Sequence, residues 1–235
     1  MPHLRFDGKV AVLHLGDGDN RLSPDSVAEI DGLLDEVEAG PSAALVTAAG
    51  GKIWSNGLDT VWFAAHPDEI GGALQAVERL FARLLVFPVP TVAALQGHTF
   101  AGGAMLALSH DLRVMRADRG FVCLPEVDLG VAFTPGMTAL LTARLAPQPA
   151  HAAMVLAQRF AGPDALAAGI VDVLADSEEA VLERSVAIAG SLGGKDRATM
   201  AAIKRLLYPS ALALLGAEPG PETVTSLAAL AAVAG

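Results

Sequence analysis

Gln96-Gly97-His98-Thr99-Phe100-Ala101-Gly102-Gly103-Ala104-Met105-Leu106-Ala107-Leu108 is the stretch on which the reading of this chain turns. It follows the β-branched, apolar run Pro90-Thr91-Val92-Ala93-Ala94-Leu95, which reads as a buried strand. It ends in strong helix formers, Ala104 to Leu108. The sequence therefore predicts strand, glycine turn, helix. Gly102 and Gly103 carry no Cβ, so another group can approach their backbone closely. Their N–H groups fall among the first of the helix, which have no partner inside it. Such a terminus favours negative charge, either a phosphate or a developing oxyanion. The spacing is neither that of a nucleotide P-loop nor that of a dinucleotide fold. An oxyanion role requires a second N–H donor from elsewhere and a catalytic group nearby.

A second segment has the same grammar. Lys52-Ile53-Trp54-Ser55-Asn56-Gly57-Leu58-Asp59 also runs from an extended piece through a glycine turn toward a helix. It offers the N–H of Asn56 as the second donor, to grip one carbonyl oxygen together with the N–H of Gly102.

Composition narrows the possibilities further. Of the 235 residues, 52% are hydrophobic and 18% charged, which supports a large packed core and excludes global disorder. The net charge of −10 argues against nucleic acid and anionic membrane surfaces as partners. An anionic ligand would need a local cluster of Lys or Arg, for which Lys52 and Arg21 are the candidates. Cys123 is the only cysteine, so no intrachain disulfide is possible, and a reducing cytoplasm is expected. The first residues lack the apolar core of a secretory signal. No apolar run approaches the ~18 residues of a membrane span.

From the N-terminus, Asp7-Gly8 marks a hairpin between Leu4–Phe6 and Val10–Leu15. Ser23-Pro24 opens a helix to about Glu38, with Val27, Ile30, Leu33, Leu34 and Val37 on one face. Ala43–Thr47 reads as a buried strand and 70–87 as an amphipathic helix closed by Pro88. Asp111–Met115 and Phe121–Leu124 read as strands, and Glu126–Gly130 as a loop. Beyond Pro135 the pattern is helical over 136–145, 148–157, 163–168, 177–192, 196–215 and 221–234, with a short strand at Val171–Leu174. The pattern predicts an α/β layered core over 1–190 and a helical region over 191–235.

Five segments in order now resemble the crotonase (enoyl-CoA hydratase/isomerase) superfamily over residues 3–210. They are Asn20-Arg21-Leu22-Ser23, Ser55-Asn56-Gly57-Leu58-Asp59, the Gln96–Gly103 run, Asp111-Leu112-Arg113, and Pro125-Glu126-Val127-Asp128-Leu129-Gly130. The form of the second segment, with Ser109-His110-Asp111 and Asp118-Arg119-Gly120-Phe121, is most similar to the Δ3,Δ2-enoyl-CoA isomerases. The resemblance implies a spiral of ββα turns, C-terminal helices that form a homotrimer or hexamer, and an acyl-CoA thioester substrate with no further cofactor. It implies that the N–H groups of Asn56 and Gly102 form an oxyanion hole.

Hydratases of that family hold a water between two glutamates. One of those places is Met105 here, and the other is Glu126. A thioether transfers no protons, so one carboxylate remains, enough for a 1,3-proton shift through a dienolate. Trp62, Phe63, Met105 and Phe133 are the expected apolar surroundings of Glu126, raising its pKa, although Met105, Trp62 and Phe63 also fit a plain core role. Ser55 is expected at the substrate without a nucleophilic role. His98 and His110 read as structural, and Asp59 as a helix cap. No metal-ligand spacing occurs. Other crotonase chemistries, a non-catalytic acyl-CoA binder, and a phosphate-binding α/β module are the alternatives.

Overall fold

The computed structural model describes residues 1–234; Gly235, the last residue of the expected C-terminal region, lies outside them. The chain opens with an antiparallel hairpin of β1 (His3–Asp7) and β2 (Val10–His14), as Asp7-Gly8 predicted. The short strand β3 (Arg21–Leu22) leads into α1 (Pro24–Ala39). Ser23 caps α1 by accepting from Ser26 N, and Pro24 occupies the first turn.

Three strand–strand–helix turns follow. The first is β4 (Ala44–Ala48), β5 (Ile53–Ser55) and β6 (Gly57–Leu58), then α2 (Thr60–Ala65) and α3 (Ile70–Leu85). The second is β7 (Thr91–Leu95), β8 (His98–Phe100) and α4 (Gly102–Leu108). The third is β9 (Leu112–Arg116), β10 (Val122–Cys123) and α5 (Glu126–Leu129). Each turn gives one strand to a large sheet, ordered β1-β2-β4-β7-β9 and closed by a later strand. Each gives another to a small parallel sheet, ordered β10-β8-β5. Chain order and sheet order advance together, which makes a spiral. β6 pairs instead with β3, in a two-stranded parallel ladder with Leu22 opposite Leu58.

The helical remainder comprises α6 (Pro135–Arg144), α7 (Pro147–Leu156), α8 (Gly162–Ala167), α9 (Glu178–Leu192), α10 (Arg197–Leu207), α11 (Pro209–Leu214) and α12 (Pro221–Ala234). Within it, β11 (Val173–Ala175) joins the large sheet beside β9. The large sheet is a middle layer. Val10, Val12, Val46, Val92 and Val114 face α9, whereas Ala11, Leu13, Leu45 and Ala93 face the main core. Both faces are buried, which is why these strands read as continuous apolar runs.

Two expectations fail locally. The expected helix over 196–215 is two helices, because Pro209 lacks an N–H and starts a new helix at its first turn. The expected loop Glu126–Gly130 contains the single helical turn α5, ended by Gly130 in the left-handed region at φ 68°. Among the described residues, no helix is long and apolar enough to cross a membrane.

The C-terminal helices are fastened to the spiral by buried polar groups. Lys204 Nζ on α10 donates to Asp111 Oδ2 (2.7 Å) and to Phe87 O (3.0 Å). Asp111 also accepts from Thr91 N at 2.9 Å. Burial pushes the Lys204 ammonium down and Asp111 opposes that shift. Arg144 on α6 donates to the carbonyls of Leu108 and His110. Asp111→Ala leaves that ammonium without its counter-charge, so urea unfolding is expected to show a loss of about 3–5 kcal/mol. Lys204→Met, which removes the ammonium while keeping apolar bulk, is expected to cost less in the same titration.

Candidate active site

The site begins where two glycine turns meet. Gly57 adopts φ +79°, and a Cβ built there would lie 2.6 Å from Gly102 N and 3.0 Å from Phe100 O. A Cβ on Gly103 would lie 2.5 Å from Ser55 O. Any larger residue at either place would force the turns apart. The turns belong to successive layers of the spiral, held by the β5–β8 pairing of Ile53 with His98 and Ser55 with Thr99.

This contact fixes which amides are free, and it corrects the expectation for Asn56. The Asn56 N–H donates to Asp19 O at 2.9 Å. Each backbone N–H supplies one donor, so this one is already used. Asp59 N–H donates to Leu22 O at 3.1 Å, toward β3. Successive N–H groups of an extended strand alternate in direction, so the Leu58 N–H faces away from β3. It lies on the Gly102 side, where a Cβ built on Gly102 would be 3.5 Å from Leu58 N. At the other turn, Ala101 N–H donates to Cys123 O at 3.0 Å. The Gly102 N–H, first in α4, has no acceptor among the described residues. The converging pair is therefore Leu58 and Gly102. Ala101 stands at φ 49°, ψ −124°, a conformation costly for a residue with a Cβ.

Leu58 and Gly102 open onto a cavity of about 370 Å³. Its walls are mostly apolar: Phe100, Met105, Leu129, Val131 and Met137 line it. Glu126 at the start of α5 lines it too, and is the one acidic side chain to do so among the described residues. Glu126 is only 7% exposed. Its Oε2 is buried with no hydrogen-bond partner. Burial pushes its carboxyl pKa up to about 7, against a smaller lowering by a backbone hydrogen bond.

Met105 lines this cavity, one turn along α4 from Gly102, as expected of a residue at the substrate. Other expected lining residues lie elsewhere. Phe63 is a 1%-exposed member of the main core. Trp62 stacks on His66 at 4.3 Å and meets Phe63 edge-on at 5.5 Å. Phe133 packs half-buried against the main core. None of the three lines the cavity; Phe100, Leu129 and the α12 leucines take that place. Ser55 is fully buried and clasps the first turn, its Oγ donating to Asn20 O (2.8 Å) and accepting from Gly57 N (3.2 Å).

Of the two candidate cations, Arg21 lines the cavity, paired with Asp19 at 3.0 Å. Lys52 is exposed and does not line it. Arg159, which the sequence reading missed, lines the cavity with no salt-bridge partner among the described residues. It follows a turn without motif character, so only its spatial position reveals it.

The remaining polar residues have structural partners. His110 is fully buried between Leu106 O (2.9 Å) and Thr47 Oγ1 (2.8 Å), and burial pushes its pKa down to about 4. His98 stacks on Phe100 at 5.1 Å and on Phe121 at 5.5 Å. Asp59 caps α2 by accepting from Val61 N and Trp62 N. Asp111 and Ser55 are each engaged away from His98, so no nucleophilic triad is assembled.

The spiral has counterparts among known proteins. The chain matches the enoyl-CoA hydratase/isomerase family over residues 5–212. It is 37% identical over 215 residues to enoyl-CoA delta isomerase 2, peroxisomal, of Arabidopsis thaliana, covering 86% of this chain and 90% of that protein. It is 33% identical over 222 residues to a putative enoyl-CoA hydratase of Thermus thermophilus, covering 91% and 85%. The apo structure of an Mtb enoyl-CoA isomerase superposes with a TM-score of 0.85 at 29% identity, over 97% of each chain. This chain belongs to the enoyl-CoA hydratase/isomerase, or crotonase, superfamily and has its mixed α/β fold. It is thereby an acyl-CoA enzyme, with both isomerases and hydratases among its relatives. The plant relative is named as peroxisomal, which gives the expected cytoplasmic location no support.

Gly57→Ala tests the turn contact. The added methyl displaces Gly102 N, and acyl-CoA turnover is expected to fall by about 10²-fold or more, the usual cost of losing one such donor. Circular dichroism is expected to stay near that of the parent.

Proposed function

We propose that this chain is a Δ3,Δ2-enoyl-CoA isomerase, moving the double bond of a 3-enoyl-CoA to the 2-position. The observation that carries the reading is Glu126: one buried carboxylate, its Oε2 without a hydrogen-bond partner, in a cavity that Met105 of α4 also lines. Addition of water calls for a second group to hold and activate it, and a thioether cannot do so. A 1,3-proton shift needs only one base that returns what it takes.

In the proposed reaction the thioester oxygen lies between the N–H groups of Leu58 and Gly102. Ionised Glu126 removes a proton from C2. The electron pair of that C–H bond moves into the thioester, leaving a dienolate with its charge on the oxygen. The two amides stabilise that charge without reorganising, because the turns already hold them. Glu126, now protonated, gives the proton to C4, and the double bond settles between C2 and C3. The apolar walls keep water from both Glu126 and the dienolate, which strengthens the base. Arg21 and Arg159 are the cations available for the phosphates of coenzyme A in an otherwise acidic chain.

Glu126→Gln is expected to lower isomerisation of 3-enoyl-CoA by about 10²–10⁴-fold while acyl-CoA binding, followed by calorimetry, persists. Hydration of a 2-enoyl-CoA outrunning isomerisation by the parent protein would overturn the proposal. Because the base must be ionised, kcat/KM is expected to rise with pH through about 7 and then level. The same burial destabilises the fold above the ordinary carboxylate range. The raised pKa means that the folded state holds a proton between about pH 4.5 and 7 that the unfolded state has lost, so stability falls with pH across that window. Thermal melts are thus expected to favour Glu126→Gln over the parent at pH 8, with the advantage shrinking toward pH 5.

The trimer implied by the family resemblance is part of the same proposal. Ile203, Leu206 and Leu207 of α10 are 59%, 82% and 64% exposed, a large apolar surface for a subunit that stays alone. Light scattering is expected to give a mass of three chains or a multiple of three.

A further inference from the structure

One wall of the cavity, here called its roof, comes from α12, which begins at Pro221, beyond the last residue of the family match at 212. Thr223, Leu227 and Leu230 line the cavity. Their spacing of four and three residues puts them on one face of the helix. The cavity is also lined by Met105 of α4, Leu129 of α5 and Met137 of α6. α12 also packs against α2, which follows the turn that carries Leu58.

Two contacts fix the helix relative to Glu126. Ala132 N donates to Ser226 Oγ at 3.4 Å, tying α12 to the segment that follows α5. Where the chain enters the α11–α12 connection, Gly216 N donates to Glu78 Oε2 at 2.8 Å. The same carboxylate accepts from Thr134 Oγ1, the cap of α6. The roof and the catalytic segment thus share Glu78, buried on α3, as an anchor. An acyl chain whose thioester meets Leu58 and Gly102 has mostly apolar side chains to lie among, and α12 supplies the part of that wall the family match does not cover.

We infer that Leu227 and Leu230 determine the acyl-chain length this enzyme accepts. The inference rests on the reading of the cavity as an acyl-CoA site. Trimming either leucine lengthens the space open to the chain, and enlarging one shortens it. Each methylene that gains or loses a buried place is worth roughly fourfold in kcat/KM.

The test compares Leu227→Phe, Leu230→Ala and the parent on 3-hexenoyl-, 3-decenoyl- and 3-tetradecenoyl-CoA. The kcat/KM ratio of the longest to the shortest substrate is expected to rise at least tenfold in Leu230→Ala and to fall at least tenfold in Leu227→Phe. Opposite movements separate selection from general damage, which lowers all three rates together. Calorimetric affinities for saturated acyl-CoAs of the same lengths are expected to move in the same directions, and they report on the roof even if a variant turns over slowly. Unchanged ratios and affinities in both variants would overturn the inference. Failure of the catalytic reading has a different signature: Glu126→Gln would keep its turnover on every chain length.

Discussion

The approach of Gly57 to Gly102 is the constraint on which the rest depends. At that distance the backbones of two successive spiral turns touch with no side chain between them. The large sheet sets their spacing and the small sheet sets their register. The Ser55 clasp and the Asn20 side chain, which donates to the carbonyls of Ile53 and Trp54, hold the first turn from behind. Two amides that the chain cannot satisfy internally are thereby aimed at one point. The strained conformation of Ala101 at the mouth of α4 belongs to the same geometry, since it lets the chain turn sharply from β8 into a helix whose first N–H is exposed to the cavity.

Against this fixed positive pole stands a carboxylate kept out of water. Among the described residues Glu126 forms no salt bridge, although Arg21 and Arg159 line the same cavity. Its basicity comes from burial alone. A cation beside it would hold it ionised but weaken it as a base, and an open rim would hydrate it. The fold thus accepts a less favourable carboxylate for a more reactive one. Elsewhere the buried cations Lys204 and Arg113 each hold a partly accessible carboxylate, Asp111 and Asp172, at 2.7 Å.

Much of this was legible in the sequence, for physical reasons. The doubly buried strands announce themselves as apolar runs, and glycine and proline mark the turns between them. The resemblance placed Gly102 and Glu126 in one site, and both line the cavity. What could not be read was which amides are already taken. Asp19 O takes the N–H of Asn56 and Leu22 O takes that of Asp59, so the choice between Asn56 and Leu58 rests on where the 19–22 segment packs, which lies more than thirty residues away in sequence. The aromatic side chains of α2 were misplaced because apolar character alone does not distinguish a cavity wall from the core beneath it. Arg159 and the leucines of α12 reach the site only through the packing of distant helices.

The two amides come from different layers of the spiral, and the acid comes from a third. Each is ordinary backbone or an ordinary glutamate in its own segment. Reactivity is therefore a property of stacking: no single ββα turn, excised or folded early, contains it. The competent centre therefore depends on parallel pairings between strands far apart in sequence, the kind of non-local contact that is slow to form.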